Sequence, residues 1–184
     1  MKRLSLLAIA VGLVVGGCDL SSRLTGSGRQ GDRGREFKLW LKDSSRQSSA
    51  NEGPISEHCF YVEVADTEQL RRRGLSGREY LSSNKGMLFV MPKASKMEMW
   101  MKDCLIPLDV LFFDRDKRLI NFHTMAVPLA EQSEAELPLY ESDKPAKYAL
   151  EVSAGSARQL GLKQGLTSLV FSDELLKRLQ DGTE

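Results

Sequence analysis

Pro107-Leu108-Asp109-Val110-Leu111-Phe112-Phe113-Asp114-Arg115-Asp116-Lys117-Arg118-Leu119-Ile120-Asn121-Phe122-His123-Thr124-Met125 decides the fold class of this chain. An apolar run, Leu108 to Phe113, starts straight after a proline, and a second, Leu119 to Met125, returns after the polar connection Asp114 to Lys117. Two such runs about a short polar turn predict a hairpin. Outward from it the pattern repeats. Phe60, Val62 and Val64 alternate with Tyr61 and Glu63, as in a half-buried strand. Gly86 to Met91 is an apolar run ending at Pro92, Met97 to Lys102 alternates, Tyr148, Leu150 and Val152 share a face, and Leu166 to Phe171 makes a last strand. The helices between are short. One is capped by Asp66 or Thr67, with Gln69 placed for a capping box from Asp66, and stops at Gly74; another spans Ala154 to Leu160 and closes at Gly161; Ser172 caps a third. Many short strands with two or three short helices predict a mainly β fold, either a compact β-sandwich of jelly-roll type or a barrel.

The N-terminus predicts an address. Lys2 and Arg3 precede the apolar stretch Leu4 to Val15, which is too short for a stable bilayer span, and Gly16-Gly17-Cys18 closes it. This order resembles a bacterial lipoprotein lipobox, which makes Cys18 the lipidated first residue of the mature chain; the plainer alternative is a secretory signal with a chance cysteine. Asp19 resembles the signal for retention at the inner membrane. The expectation is a lipid anchor facing the periplasm. The organisation read from composition is a signal peptide at 1–17, lipidated cysteine and flexible tether at 18–54, a β domain at 55–172, and a C-terminal helix or tail at 173–184. Serine, glycine and basic residues dominate the tether. Its one apolar island, Phe37 to Lys42, fits an edge strand with Phe37, Leu39 and Leu41 facing inward, a weakly ordered segment, or a lipid-headgroup contact.

Of the 26 Lys and Arg residues, Lys2 and Arg3 alone precede Cys18, and all 25 acids follow it. The mature chain is therefore near neutral, with no electrostatic footprint for nucleic acid. Cys59 and Cys104 are placed either to form a disulfide in an oxidising compartment or to serve as small buried hydrophobes.

Several blocks then occur in a fixed order: Gly74-Leu75-Ser76-Gly77-Arg78, Gly86-Met87-Leu88-Phe89, Trp100-Met101-Lys102-Asp103, Ile106 to Phe112, Tyr140-Glu141-Ser142, Pro145 to Val152, and Ala154-Gly155 with Gly165. Together they resemble the family called domain of unknown function 192, small uncharacterised exported or lipid-anchored proteins, across Cys59 to Phe171. The resemblance implies a compact, mainly β domain and no established reaction. The chain departs from the family pattern at Asp103-Cys104, where the family has Asn-Thr, and at Leu166, where it has an acid. It also lacks a cysteine the family commonly carries before the position of Tyr140.

Candidate site residues follow from these blocks. Trp100, Lys102, Arg78 and Asp109, with Asp103 beside them, combine an aromatic plate with fixed charges, suited to a small polar ligand or an envelope component. The competing reading makes Arg78 and Asp109 a buried ion pair, with Trp100 in the core. The arginines Arg71, Arg72 and Arg73 read as a solvated helix end or an anion contact. Met97, Met99 and Met101, with His123, offer thioether and imidazole donors for copper(I). Asp103 and Asp109 are the one carboxylate pair suggestive of a hydrolase. With two histidines, His58 and His123, no His-Glu-x-x-His zinc site exists, and the Gly74 to Arg78 loop is no nucleophile elbow. No cofactor is expected. A binding or interaction module is the favoured reading, its partners being the membrane through Cys18 and a small ligand or envelope protein.

Overall fold

Two proline-bounded or turn-bounded apolar runs do pair as expected, and the remaining strands assemble around them. The computed structural model describes residues 34–44 and 57–181, so the expected signal segment at 1–17, Cys18 and Asp19 lie outside it. In chain order the elements are β1 (Phe37–Asp43), β2 (Glu57–Ala65), α1 (Glu68–Arg73), β3 (Lys85–Ser95), β4 (Glu98–Met99), β5 (Leu108–Phe113), β6 (Leu119–Met125), β7 (Tyr140–Glu141), β8 (Ala146–Ser153), α2 (Ser156–Gln159), β9 (Thr167–Phe171) and α3 (Asp173–Asp181). Seven strands form one sheet in the order β6-β5-β8-β3-β2-β1-β9, and β4 pairs with β7 in a small second ladder. The large sheet curls into a half-barrel, the barrel side of the expectation. Its two edges approach at one end, where Arg118 bridges Ser168 and Leu169 N–H donates to Lys117 O.

Local chemistry explains the elements. At the β5–β6 turn the Asp114 carboxylate accepts from the N–H groups of Asp116 and Arg118, which frees Lys117 to adopt a left-handed φ of 67°. Helix α1 is capped by Thr67, whose hydroxyl accepts from Leu70 N–H, and ends at Gly74 with φ 49°. The capping box from Asp66 does not form, because the Asp66 carboxylate is held 2.8 Å from the Arg178 guanidinium. Strand β3 continues through Pro92 to Ser95, its register with β8 shifting between Val90 and Ser95. Across α1, β2 and β3 form the one parallel pair of the large sheet.

The apolar island at Phe37 forms β1, with Phe37, Leu39 and Leu41 buried. It is not an edge strand, because β2 hydrogen-bonds one side and β9 the other. The first strand of the domain thus lies within the segment read from composition as tether.

Both faces of the sheet are covered. One carries Leu39, Phe60, Leu88, Leu111, Leu150 and Phe171, with Ala157 of α2 and Leu175 of α3 packed on it. The other carries Met87, Phe89, Val110, Phe112 and Ala149, beneath Leu75, Met97, Met101 and Cys104 from the long connections. All six residues of β5 are buried, which explains why the strand is apolar at every position but Asp109.

Asp109 is the exception in that strand, and its place is structural. Fully buried, its carboxylate accepts from the Thr124 hydroxyl and from Ala157 N–H, both at 2.8 Å. It thereby caps α2, whose own N-cap is Gly155 and has no side chain to do so. Asp109→Asn would set an amide against one of those donors and should lower stability by about 2 kcal/mol. Urea denaturation measures this, and an unchanged midpoint would refute the capping role.

Candidate functional site

A cleft of about 490 Å³ opens on the second covered face, between α1 and the segment that crosses over β3. The crossing segment is held at several points. Glu98 and Met99 pair with Glu141 and Tyr140, and Met97 exchanges two 2.9 Å hydrogen bonds with the buried Ser142. Further along, the Ser76 hydroxyl donates to Lys102 O and Gly77 N–H donates to Asp103 O. Asp103 takes a φ of 56° to make that turn, a conformation aspartate tolerates better than most residues.

The cleft has an apolar band, a charged mouth and a closed floor. Leu75, Phe89, Met91, Met97, Met99 and Trp100 supply the apolar surface. The mouth brings Arg71, Arg72, Arg73, Lys96 and Lys102 against Glu68 and Glu98. Most of these cations are engaged: Arg71 donates to the carbonyls of Asp66 and Val90, Arg72 pairs with Glu68, Lys96 with Glu141, and Lys102 with Glu134. The Lys102 ammonium also lies 5.7 Å from the centre of the Trp100 ring. Their acidic partners raise the Lys96 and Lys102 pKa values. Arg73 is exposed and has no ion pair among the described residues.

The floor is Glu151 of β8 with the Cys104 thiol close to it. Glu151 is 4% exposed, and among the described residues its carboxyl has no hydrogen bond or ion pair, its oxygens reaching the cleft surface instead. Burial alone pushes its pKa up to about 8, so it is mainly a neutral acid at pH 7. Burial likewise pushes the Cys104 thiol up to about 11, helped by Glu151 and Asp103 and partly opposed by a hydrogen bond with Ser76.

The sequence candidates are therefore divided. Trp100, Lys102, Met97 and Met99 line the cleft. Arg78 does not; it pairs with Glu63 of β2 at 2.5 Å, not with Asp109. Asp103 is exposed beside the cleft, whereas Asp109 points to the opposite face of the sheet. The Asp103–Asp109 carboxylate pair is thus not assembled. Of the copper(I) set, Met97 and Met101 are buried in one apolar layer with Met99 packed against it, and His123 sits between Phe112 and Tyr140 with its Nε2 2.9 Å from Glu141 O. The strand expected over Met97 to Lys102 is reduced to Glu98–Met99, because β7 offers only two residues to pair. Among the described residues no three His, Cys, Asp or Glu side chains converge as a metal site would require. Cys59 on β2 and Cys104 at the cleft floor are not joined.

Sequence reasoning missed Glu151. The alternation that put Tyr148, Leu150 and Val152 on one face assigned Ala149 and Glu151 to the other, where a charge reads as solvent-facing.

Residues 50–168 match the family model DUF192, described as an uncharacterized ACR. No curated protein matches the chain. Two crystal structures are similar to it. A Sinorhizobium meliloti 1021 protein described as a candidate transcription regulator is 29% identical, with a TM-score of 0.62 over 74% of this chain and 93% of that one. A protein of unknown function from Novosphingobium aromaticivorans DSM 12444 is 26% identical, with a TM-score of 0.61 over 74% and 85%.

The buried acid has a signature in stability. Glu151 titrates near 8 in the folded chain against an ordinary 4.5, so folding takes up a proton between those values. Its effect on stability is absent below about pH 4.5, worsens by about 1.4 kcal/mol per unit as pH rises to about 8, then levels off. Glu151→Gln should remove this component, so the variant gains on the wild type between pH 5 and 8 in urea denaturation. Parallel pH profiles for the two proteins would contradict the assignment.

Proposed function

We propose that this chain, which belongs to the DUF192 family, is a lipid-anchored binding protein that presents one ligand cleft outside the membrane. The observation that carries the binding reading is the cleft itself: apolar walls, a mouth with more cations than anions, and a closed floor bearing an unpaired acid. Concave, mainly apolar sites with a few placed polar groups are typical of small-molecule pockets. The ligand fitted by this surface is small and amphipathic, its apolar body against Met91, Met97 and Trp100 and an anionic group near Arg73. Catalysis is less well supported. A thiol titrating near 11 is not an activated nucleophile, and a largely protonated Glu151 is not a ready base at pH 7.

The anchor reading rests on Lys2 to Cys18 and the small residues before the cysteine. Lipidation at Cys18 holds the domain at the membrane on the periplasmic side, with Asp19 favouring the inner membrane.

Trp100 on the cleft wall is a built-in reporter. Titrating the full chain with phenylbutyrate should change its fluorescence in a Trp40→Phe background and raise the melting temperature. Arg73→Ala should weaken binding by about fivefold, the scale of one exposed charge contact. No response from phenylbutyrate or from other aromatic and aliphatic ligands would refute the cleft as a binding site. For the anchor, Cys18→Ser should shift the chain from the membrane to the soluble fraction; unchanged membrane association would refute lipidation there.

A further inference from the structure

An acid without a partner is an expensive thing to place in the middle of a sheet. Glu151 stands on β8, hydrogen-bonded on one side to β3 and on the other to β5, so its backbone cannot carry the carboxyl out to water. It is 4% exposed, faces the cleft, and lacks any hydrogen-bond or ion-pair partner among the described residues. An apolar residue of similar size would stabilise the fold more, so the carboxyl is suited to a group that arrives from outside.

From this, and resting on the ligand-binding reading above, we infer that the cleft takes an elongated zwitterion, with its ammonium at the Glu151 carboxylate and its anionic group at Arg73. The buried Glu151 and the exposed Arg73 share the cleft with Phe89, Met91, Met97 and Trp100, which suits a ligand with an apolar spacer between its charges. A metal ion fits the floor less well, since no third His, Cys, Asp or Glu joins Glu151 and Cys104 among the described residues. An ammonium supplies its own N–H donors to a buried carboxylate, and such charge-assisted bonds are about twice as strong as neutral ones. The neighbouring thiol gives the carboxylate no countercharge, so the ligand provides it.

The proton balance follows. In the empty cleft Glu151 holds a proton; on binding, the carboxyl O–H proton passes to solvent, the ligand ammonium keeps its own, and a carboxylate–ammonium pair remains. The groups facing this event from α1 are Glu68, Arg71, Arg72 and Arg73. From the crossing segment they are Lys96, Glu98, Lys102 and the Cys104 thiol, with Asp103 behind it. Glu151→Gln therefore serves as the control that assigns the released proton to one residue.

The test is calorimetry of the full chain at pH 7 with three probes: phenylbutyrate, phenylbutylamine and the zwitterion aminobutylbenzoate, each in phosphate and in Tris buffer. The zwitterion should bind best. Both amines should release close to one proton, seen as a buffer-dependent heat, and phenylbutyrate should release none. Glu151→Gln should weaken phenylbutylamine by about tenfold or more and abolish the proton release, while phenylbutyrate binds as before. Arg73→Ala should weaken phenylbutyrate and the zwitterion, but not phenylbutylamine. The inference is overturned if phenylbutylamine fails to bind while phenylbutyrate does, if its affinity is the same in Glu151→Gln, or if it binds without proton release. If none of the three probes binds the wild-type chain, the ligand-binding reading itself fails. Urea midpoints of the variants establish that each remains folded.

Discussion

Strand β8 is hydrogen-bonded along both edges, to β3 and to β5, and is covered on both faces. Its spacing from β3 is set by Gly86, where a side chain would place a Cβ 2.4 Å from the Glu151 carbonyl oxygen. That close approach fixes how Leu150 and Val152 enter one apolar layer while Ala149 enters the other. The curled sheet, the two layers and the cleft floor all follow from the position of this strand. Glu151 inherits that rigidity: its backbone is tied on both sides, and its side chain ends at the buried cleft floor, where burial disfavours the charged form.

Much of the sheet was legible because the relevant signals are local. The β5–β6 hairpin is written in two apolar runs and one polar turn, and Gly74 marks the end of α1 with a left-handed φ that favours glycine. The position of β1 was not. Phe37, Leu39 and Leu41 alternate as a strand should, but their partners are His58, Phe60 and Val62 on one side and Leu169 and Phe171 on the other. No local pattern states that a strand has two neighbours. Met97 to Lys102 erred in the other direction: alternation is present, yet only Glu98 and Met99 find strand partners.

The site was half legible for a related reason. Trp100 and Lys102 are conspicuous and do line the cleft. Asp109 is equally conspicuous, but the two-residue period of β5 turns it to the opposite face, where it caps a helix. Glu151 was hidden by the same rule. Sequence alternation distinguishes two faces and does not reveal that distant segments, here Leu75 to Leu81 and Met97 to Cys104, cover the second one. The resulting site has a gradient of charge from a cationic mouth to a neutral floor, with thioether and aromatic side chains between. Such an arrangement orders a ligand end to end without any activated nucleophile.

The pairing of β1 with β9 joins the first described strand to the last: Leu39 lies opposite Phe171. A ribosome or an export channel delivers these two strands at opposite ends of the domain's emergence. Until Thr167 to Phe171 arrive, β1 has a row of backbone donors and acceptors with no neighbour along one edge, the kind of edge that recruits other chains. Closure also demands contacts far apart in sequence, which slows folding. The architecture therefore favours a chain kept unfolded until it is complete, and it makes the final strand a checkpoint on the integrity of the whole molecule.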